Sequence, residues 1–198
     1  MAVKKKAKVM DKWKTKKWFT VVTPPIFEGR PLCEVVASEE EQLVNRIIRT
    51  TLADIGLSGA SQVGMFTSLR FRITDVTGTT ANTKLIGHEV APSFVKTFAR
   101  RGRSLIHQVI DIKTRDGVQM RLKVIAVTGA RVSENTMKNL RAAIVREVAA
   151  GASAADFNQL MQDILYGRFV AGIYNVLKKI TKMRRVEVRK SQLKEIFA

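Results

Sequence analysis

Alternating apolar and polar residues in the middle of the chain predict β-strands. In TSLRFRITDVTG, residues 67–78, every second residue from Leu69 to Ile73 is apolar and the residues between them are polar. One face of this strand is therefore expected to be buried. A second extended run, TANTKLIGHEV, follows at residues 80–90.

The clearest strand signal is LIHQVIDIKTRDGVQMRLKVIAV, residues 105–127. Two alternating runs meet at Asp116-Gly117, a dipeptide suited to a type I′ hairpin turn. The apolar positions that share one face of the second run are Val118, Met120, Leu122 and Val124. The segment therefore predicts a β-hairpin.

The N-terminal part of the chain gives mixed signals. WFTVVTPPIF, residues 18–27, starts as a strand that its two prolines end, because proline cannot donate to a strand ladder. In residues 38–56, Ser38 and Glu41 form a capping-box pattern that favours a helix, whereas the β-branched RIIRTTL favours a strand. We predict a short acidic turn that leads into a strand from about Leu43 to Ala53.

A short helix is predicted just before the hairpin, in APSFVKTFARRGR, residues 91–103. Ser93 can cap this helix, and Phe94, Val95 and Phe98 are expected to pack inward. Its C-terminal end carries three arginines, Arg100, Arg101 and Arg103. The helix dipole favours a cation there by roughly 0.3 to 1 kcal/mol, which accounts for one arginine but not for all three.

The apolar period changes to 3.6 residues after Ser133, which predicts a helix that Gly151 ends. Its apolar stripe is formed by Met137, Leu140, Ile144 and Val148. Two further helical runs follow, at residues 155–167 and 169–182, before RRVEVRK at 184–190 becomes extended again.

Strands followed by helices predict an α+β fold. A chain of 198 residues, 45% of them hydrophobic, is long enough to bury a core and short enough to form one globular body with attached arms. We expect a basic disordered arm at 1–17, a β-rich core with one short helix at 18–132, helices packed on that core at 133–183, and a basic extended tail at 184–198.

The net charge of +18 is concentrated in three segments. Residues 1–17 carry +7, residues 96–103 carry +4 and residues 178–190 carry +6, so the rest of the chain is almost neutral. Any one such segment is often only a solvated face or a solubilising tail. Three together cost self-repulsion that a bound polyanion relieves, which indicates a nucleic-acid partner.

The sequence offers little support for catalysis. It has no Gly-Lys pair for a phosphate-binding loop and no G-x-G-x-x-G motif, and its single cysteine, Cys33, excludes an internal disulfide and a zinc site built on several thiolates. The acid–base pairings worth considering are His88 with Glu89 and His107 with Asp111. A histidine in an alternating strand, such as His107, is more often structural than catalytic. No cofactor is expected.

The composition also bears on the compartment. No apolar stretch of the kind found in secretion signals follows the N-terminal lysines, and no segment approaches the ~18 apolar residues of a membrane span. We expect a soluble, cytoplasmic protein without a membrane partner.

Arginine clusters flanked by lysine-rich arms suit folded RNA, because Arg makes bidentate contacts with phosphate and stacks on bases while Lys supplies point charge. Trp13, Trp18 and Phe19 offer stacking surfaces, although a tryptophan at a strand start often fills the core instead. Recognition of RNA shape and backbone is expected. The residues predicted to contact RNA are Lys4, Lys5, Lys6, Lys8, Lys14, Lys16, Lys17, Trp18, Arg100, Arg101, Arg103, Arg184, Arg185, Arg189 and Lys190.

Four segments carry a family resemblance in their order and spacing. They are KKWFTVVTPPIF (16–27), GHEVAPSFVKTFARRGRS (87–104), IDIKTRDGVQMRLKVIAVT (110–128) and RRVEVRKSQ (184–192). Together they resemble the small-ribosomal-subunit protein family of archaea and eukaryotes called "S three A", or the eukaryotic-type "S one" family. The chain departs from the family pattern at Asn45-Arg46, where the family tends to have Gly-Arg, and at the ITKM before the final Arg-Arg, where the family tends to have a Tyr-Pro pair.

The resemblance implies a β-barrel-like antiparallel core with C-terminal helices and basic terminal arms. It also implies a place on the platform of the small ribosomal subunit, near the messenger RNA exit site and the 3′ region of the subunit RNA. The expected partners are small-subunit ribosomal RNA, neighbouring small-subunit proteins and messenger RNA near the exit site. The length resembles that of an archaeal-type member.

We therefore predict a structural ribosomal protein without a catalytic role. Two alternatives follow from the same residues. One is a free-standing RNA-binding translation regulator or RNA chaperone, and the other is a small RNA-modifying or RNA-cleaving enzyme that uses His88 or His107.

Overall fold

The computed structural model describes residues 11, 13–56 and 62–195. The strands are β1 (Lys17–Val22), β2 (Pro31–Ala37), β3 (Ile47–Thr51), β4 (Thr67–Thr77), β5 (Thr80–Val90), β6 (Leu105–Lys113), β7 (Gln119–Thr128) and β8 (Met183–Leu193). The helices are α1 (Pro92–Lys96), α2 (Glu134–Ala154), α3 (Phe157–Leu165) and α4 (Arg168–Lys178). The predicted α+β class is confirmed, and the arm lysines Lys4, Lys5, Lys6 and Lys8 lie outside the described residues.

The chain forms two compact units, the first from Met1–Ile48 with Arg72–Lys84 and the second from Arg49–Phe71 with Leu85–Ala198. In the first unit, β1 pairs antiparallel with β2 and parallel with the start of β5. The alternation of β1 and β4 points apolar side chains inward. The buried cluster that results consists of Phe19, Val21, Ala37, Leu43, Ile73 and Ala81.

The acidic segment of the first unit resolves the helix-or-strand ambiguity in favour of a turn and a strand. Glu40–Gln42 form a single 3-10 turn, whose start makes no side-chain capping hydrogen bond, so the capping-box pattern is not used. Asn45 then adopts a left-handed φ of 66°, and its N–H donates to the carbonyl of Ile73 at 2.9 Å. Because the left-handed Asn45 changes the direction of the chain, β3 begins at Ile47 rather than near Leu43.

In the second unit, β7 is flanked by β6 and β8, and β8 also pairs with β5 at Glu89 and Lys190. Helix α2 packs on β6, α4 packs on β8, and α4 contacts both α2 and α3. Phe98, just after α1, forms a buried cluster with Ile125 and Val127 of β7. The C-terminal half of β7 is therefore covered on both faces, which explains why its alternation gives way to a continuous apolar run.

The sheet differs from the predicted barrel-like antiparallel arrangement. The pairing of β1 with β5 is parallel, and β2 and β6 end the path of paired strands in the described part of the chain, so the sheet does not close into a barrel. Most of the residues expected to form the basic extended tail lie in β8, which pairs with β7 and, at Lys190, with β5.

The hairpin between β6 and β7 forms, but its predicted type I′ turn is wrong. The N–H of Thr114 donates to Val118 at 3.0 Å and that of Gly117 donates to Thr114 at 2.9 Å, which leaves a three-residue loop. Only its last residue, Gly117, has a positive φ, of 78°. Asp116 has a second role, because its carboxylate accepts the N–H of Phe157 at 3.0 Å and so caps the start of α3.

Two predicted helix boundaries also differ from the structure. Helix α1 begins after Ala91 with a proline at its first position, so Ser93 lies within the helix and does not cap it. Helix α2 does begin at Ser133, whose hydroxyl accepts the N–H of Thr136, but it continues through Gly151. A Cβ at Gly151 would lie 2.8 Å from the ring of Phe169, so this glycine allows helix packing rather than ending the helix. No helix in the described ranges is long and apolar enough to cross a membrane.

Gly87 lies so close to β8 that a Cβ there would overlap the backbone carbonyl of Ser191. Backbone atoms cannot yield without disturbing the strand pairing, so Gly87→Ala should lower the free energy of unfolding by about 2 kcal/mol or more. Gly172 in α4 is the matched control, since nothing lies within 4 Å of a Cβ built there. Gly172→Ala should raise stability by about 0.5 to 1 kcal/mol.

Urea unfolding of the two variants and the parent chain measures both effects. A Gly87→Ala chain as stable as the parent would contradict the close approach of β5 and β8.

Candidate nucleic-acid interface

Five arginines line one surface depression in the second unit, which encloses about 590 Å³. Its lining consists of Thr97, Phe98, Arg100, Arg101, Arg103, Val127, Arg184 and Arg185. Two of the three basic sequence segments are therefore brought together. No acidic side chain is among these lining residues. We call this surface the arginine depression.

Strand register explains why these segments meet. Leu105 at the start of β6 lies opposite Val127, and Val127 lies opposite Arg185 on the other side of β7. The loop that precedes β6 and the beginning of β8 therefore reach the same end of the sheet. Although the two arginine groups are about 80 residues apart in the sequence, antiparallel pairing to one central strand makes them neighbours.

Arg185 is held in place by aromatic rings and a carboxylate. Its guanidinium carbon lies 4.6 Å from the ring centroid of Phe98 and 4.9 Å from that of Phe94, which is cation–π distance. Its Nε donates to Glu187 Oε1 at 3.0 Å. Burial raises the pKa of the Glu187 carboxyl above its ordinary value, while the hydrogen bond and charge of Arg185 act in the opposite direction.

The arginines of the loop after α1 have no such support. Arg100, Arg101 and Arg103 are all exposed, and no other described residue forms a hydrogen bond or ion pair with any of them. Gly102, with a φ of 76°, turns the chain between them. Phe98, buried against β7, anchors the loop. The three cations are therefore presented to solvent without a carboxylate from residues 11, 13–56 or 62–195 to balance them.

The remaining cations of β8 differ in how exposed they are and in whether a carboxylate of the protein already pairs with them. Arg184 is exposed and lines the arginine depression, and Arg189 is half-buried where the pairing with β7 shifts register. Lys190 is paired with Glu89 at 3.3 Å. Lys190 is thus already balanced within the protein, whereas Arg184 is presented beside the arginines of the loop.

The first unit presents the basic residues near the chain start. Lys14, Lys16 and Lys17 are exposed, and the ammonium of Lys16 lies 3.8 Å from the ring centroid of Trp13. Trp18 is 65% exposed, while its neighbour Phe19 is buried in the core. The strand alternation thus resolves the alternative for Trp18, because its ring lies on the outer face of β1.

His88 is a structural histidine, not a catalytic one. It is only 2% exposed, its Nε2 lies 3.0 Å from the carbonyl of Val188 and its Nδ1 lies 2.7 Å from Ser191 Oγ. The carbonyl can only accept, so Nε2 carries the proton and Nδ1 accepts from the serine hydroxyl. Both ring nitrogens of the neutral imidazole are satisfied, which leaves neither for proton transfer with a substrate.

The second acid–base pairing is not formed either. Asp111 accepts hydrogen bonds from Arg121 at 2.7 Å and 3.0 Å and from Lys194 at 2.8 Å. These partners hold the pKa of the Asp111 carboxyl well below its usual range, with the Arg121 hydrogen bond as the largest cause. His107 is exposed on β6, without this carboxylate to orient it.

Burial raises the pKa of the Cys33 thiol, which opposes formation of the reactive thiolate. Across the described ranges, no group of three or more His, Cys, Asp or Glu side chains is arranged to hold a metal ion.

Sequence reasoning missed the residues that fix Arg185. The sequence pattern predicts that Phe94 and Phe98 pack inward and shows Glu187 only as one charge in a basic segment. The four-residue spacing of the two rings was the available signal, since it places them on one side of a helical turn. Their contact with a residue about 90 positions later depends on strand register, which the sequence pattern does not specify.

Comparison with known proteins adds a family match. Residues 4–196 match the Ribosomal S3Ae family. Similar proteins named "Small ribosomal subunit protein eS1" occur in Pyrobaculum calidifontis, 38% identical over 91% of this chain and 80% of the relative, and in Desulfurococcus amylolyticus, 36% identical over 98% and 89%. The protein of that name in Methanothrix thermoacetophila is 34% identical over 92% of this chain and 85% of the relative.

The burial of His88 predicts how stability depends on pH. Burial, the largest cause, lowers the pKa of His88 to about 4 from 6.5. Between these values the unfolded chain binds a proton that the folded chain does not, so the contribution of His88 is complete above pH 6.5 and is lost as the pH falls. From pH 7.5 to 4.5 the loss should be about 2 to 3 kcal/mol.

Urea unfolding across this pH range tests the assignment. His88→Gln should flatten the pH dependence whatever it does to absolute stability, because glutamine does not titrate. An equally steep dependence in that variant would show that other groups cause it.

Proposed function

Because the chain belongs to the Ribosomal S3Ae family, we propose that it is a structural component of the small ribosomal subunit that binds ribosomal RNA. The relatives are ribosomal proteins, which are not enzymes, and we assign no catalytic step to this chain. In this role it resides in the ribosome and therefore in the cytoplasm.

The observation that carries the proposal is the arginine depression. Five guanidinium groups without a lining carboxylate produce a field that a polyanion neutralises. Guanidinium is also the side-chain group that matches phosphate oxygens bidentately. RNA phosphates would offset the mutual repulsion of Arg100, Arg101 and Arg103, which no contact within the described residues offsets.

The proposed contacts extend to the other basic residues named from the sequence. Lys14, Lys16, Lys17 and Trp18 are exposed on the first unit, where charge and an open indole suit RNA backbone and base contacts. We include Arg189 and Lys190 as weaker contacts, since both are partly buried and Lys190 is paired with Glu89. Lys4, Lys5, Lys6 and Lys8 complete the proposed set.

The finer location is also a proposal, and it rests on the family resemblance of the sequence segments. We place the protein on the platform of the small subunit, near the messenger RNA exit site and the 3′ region of the subunit RNA. Neighbouring small-subunit proteins and messenger RNA at the exit site are then its further partners.

Replacing Arg100, Arg101 and Arg103 together by alanine should weaken binding to small-subunit ribosomal RNA by about 10- to 100-fold at moderate salt. The slope of log K against log salt should become shallower by about 2 to 3, since each lost phosphate contact contributes roughly 0.7 to 0.9. Lys138, Arg141 and Arg146 on α2 provide the matched control, because all three are exposed and their removal changes the net charge equally.

Equilibrium binding over a salt series distinguishes the two triple variants. If both lose the same affinity and slope, the effect comes from net charge, and the arginine depression is not the RNA site.

Sucrose-gradient sedimentation of a cell lysate tests the ribosomal role itself. We expect near-stoichiometric residence of the protein in small-subunit fractions that survives moderate salt. A protein found mainly at the top of the gradient would instead indicate a free-standing RNA-binding regulator or chaperone.

A further inference from the structure

An exposed aromatic residue is linked to the arginine depression through one intervening ring, that of Phe94, and is not explained by the core. Phe66, immediately before β4, is 44% exposed, and its neighbour Met65 is 72% exposed. Adjacent apolar side chains that are exposed to water and bordered by charged residues form a candidate contact surface.

The ring of Phe66 begins a row of aromatic contacts that ends in the arginine depression. It stacks on Phe94 with ring centroids 4.4 Å apart and an interplanar angle of 8°. Phe94 meets Phe98 edge-to-face at 5.0 Å, and both rings contact the guanidinium of Arg185. Phe98 and Arg185 are themselves lining residues of the depression. An exposed π surface and a phosphate-binding surface are therefore parts of one assembly.

The position of Phe66 is fixed by the backbone on both sides. Its carbonyl accepts the N–H of Ala91 at 2.8 Å, at the start of α1, and the carbonyl of the next residue, Thr67, accepts the N–H of Leu52 at 3.0 Å. Phe94 follows one helical turn after Ala91, which places its ring beside that of Phe66. A ring held in this way loses little conformational entropy on stacking with a ligand.

We propose that Phe66 is a stacking platform for an unpaired base of RNA whose backbone lies on the arginine depression. A nucleotide combines a flat aromatic base with a phosphate, which matches an open ring joined to a group of arginines. A protein segment would instead need an acidic group for the depression and an apolar group for the ring. This inference rests on the proposed function, and it adds a single-stranded nucleotide to the shape and backbone contacts.

Variants of Phe66 in the full chain separate stacking from simple apolar contact. Phe66→Leu keeps apolar volume but removes the π face, and Phe66→Trp keeps the π face. Tyr166→Ala is the matched control, since Tyr166 is an aromatic residue of the same unit with 43% exposure and does not line the depression. Binding to small-subunit ribosomal RNA is measured over a salt series, and thermal unfolding confirms that each variant is folded.

Phe66→Ala and Phe66→Leu should both weaken binding by about 5- to 150-fold, the range for loss of one base–aromatic stack. Phe66→Trp should bind within about twofold of the parent chain. The salt slope should not change in any of these variants, because no phosphate contact is lost. Ultraviolet crosslinking of the complex should join an RNA base to the peptide that contains Phe66.

Other outcomes overturn the inference and show which idea has failed. If Phe66→Leu binds like the parent, or Phe66→Ala binds like Tyr166→Ala, no base stacks there, while the proposed function stands on the arginine variants. If the Phe66 variants bind RNA normally but are lost from small subunits in cells, the ring contacts a protein. If the parent chain itself shows no salt-dependent RNA binding, both proposals fall.

Discussion

The pairing of β8 with β7 along its length, and with β5 at Lys190, is the constraint on which the second unit depends. A paired strand commits its backbone to the sheet and one of its faces to the core, yet this one carries Arg184, Arg185, Arg189 and Lys190. Side-chain alternation makes this possible. Val186 and Val188 are buried, whereas the residues that alternate with them, Arg185, Glu187 and Arg189, stay partly open to solvent. The strand therefore contributes to the core and to the basic surface at the same time.

The partly open side of β8 holds the contacts that fix Arg185. Arg185 lies there against the rings of Phe94 and Phe98, with Glu187 two residues further along the same strand. The stem and guanidinium of one arginine thus join α1 to the sheet, and α1 in turn positions the loop of exposed arginines. A basic strand can pack against a stable core when its long side chains keep their charged ends at the surface, as Arg185 does against the two rings and Glu187.

The sequence pattern predicted the elements better than the contacts between them. Alternation and the 3.6 period located β4 to β7 and α2 to α4 because each pattern is local. It could not show that Asp116 caps α3 or that Gly151 makes room for Phe169, since both depend on residues distant in sequence. Asn45 is an instructive intermediate case. Its φ of 66° is left-handed, and asparagine is among the few residues other than glycine that tolerate this conformation.

The sequence shows the charge of the candidate site but not which basic segments meet in the fold. The three basic segments could be counted from composition, yet their convergence depends on the register of β6 and β8 against β7, and the exposed ring of Phe66 had no sequence signal. The composition does show the excess of basic over acidic residues. In the described part of the chain, Asp111 is paired with two cations and Lys190 with Glu89, whereas no carboxylate lines the depression beside Arg100, Arg101 and Arg103, which supports the proposal that RNA phosphates balance them. That is why the repulsion among these arginines is itself an argument for an RNA partner.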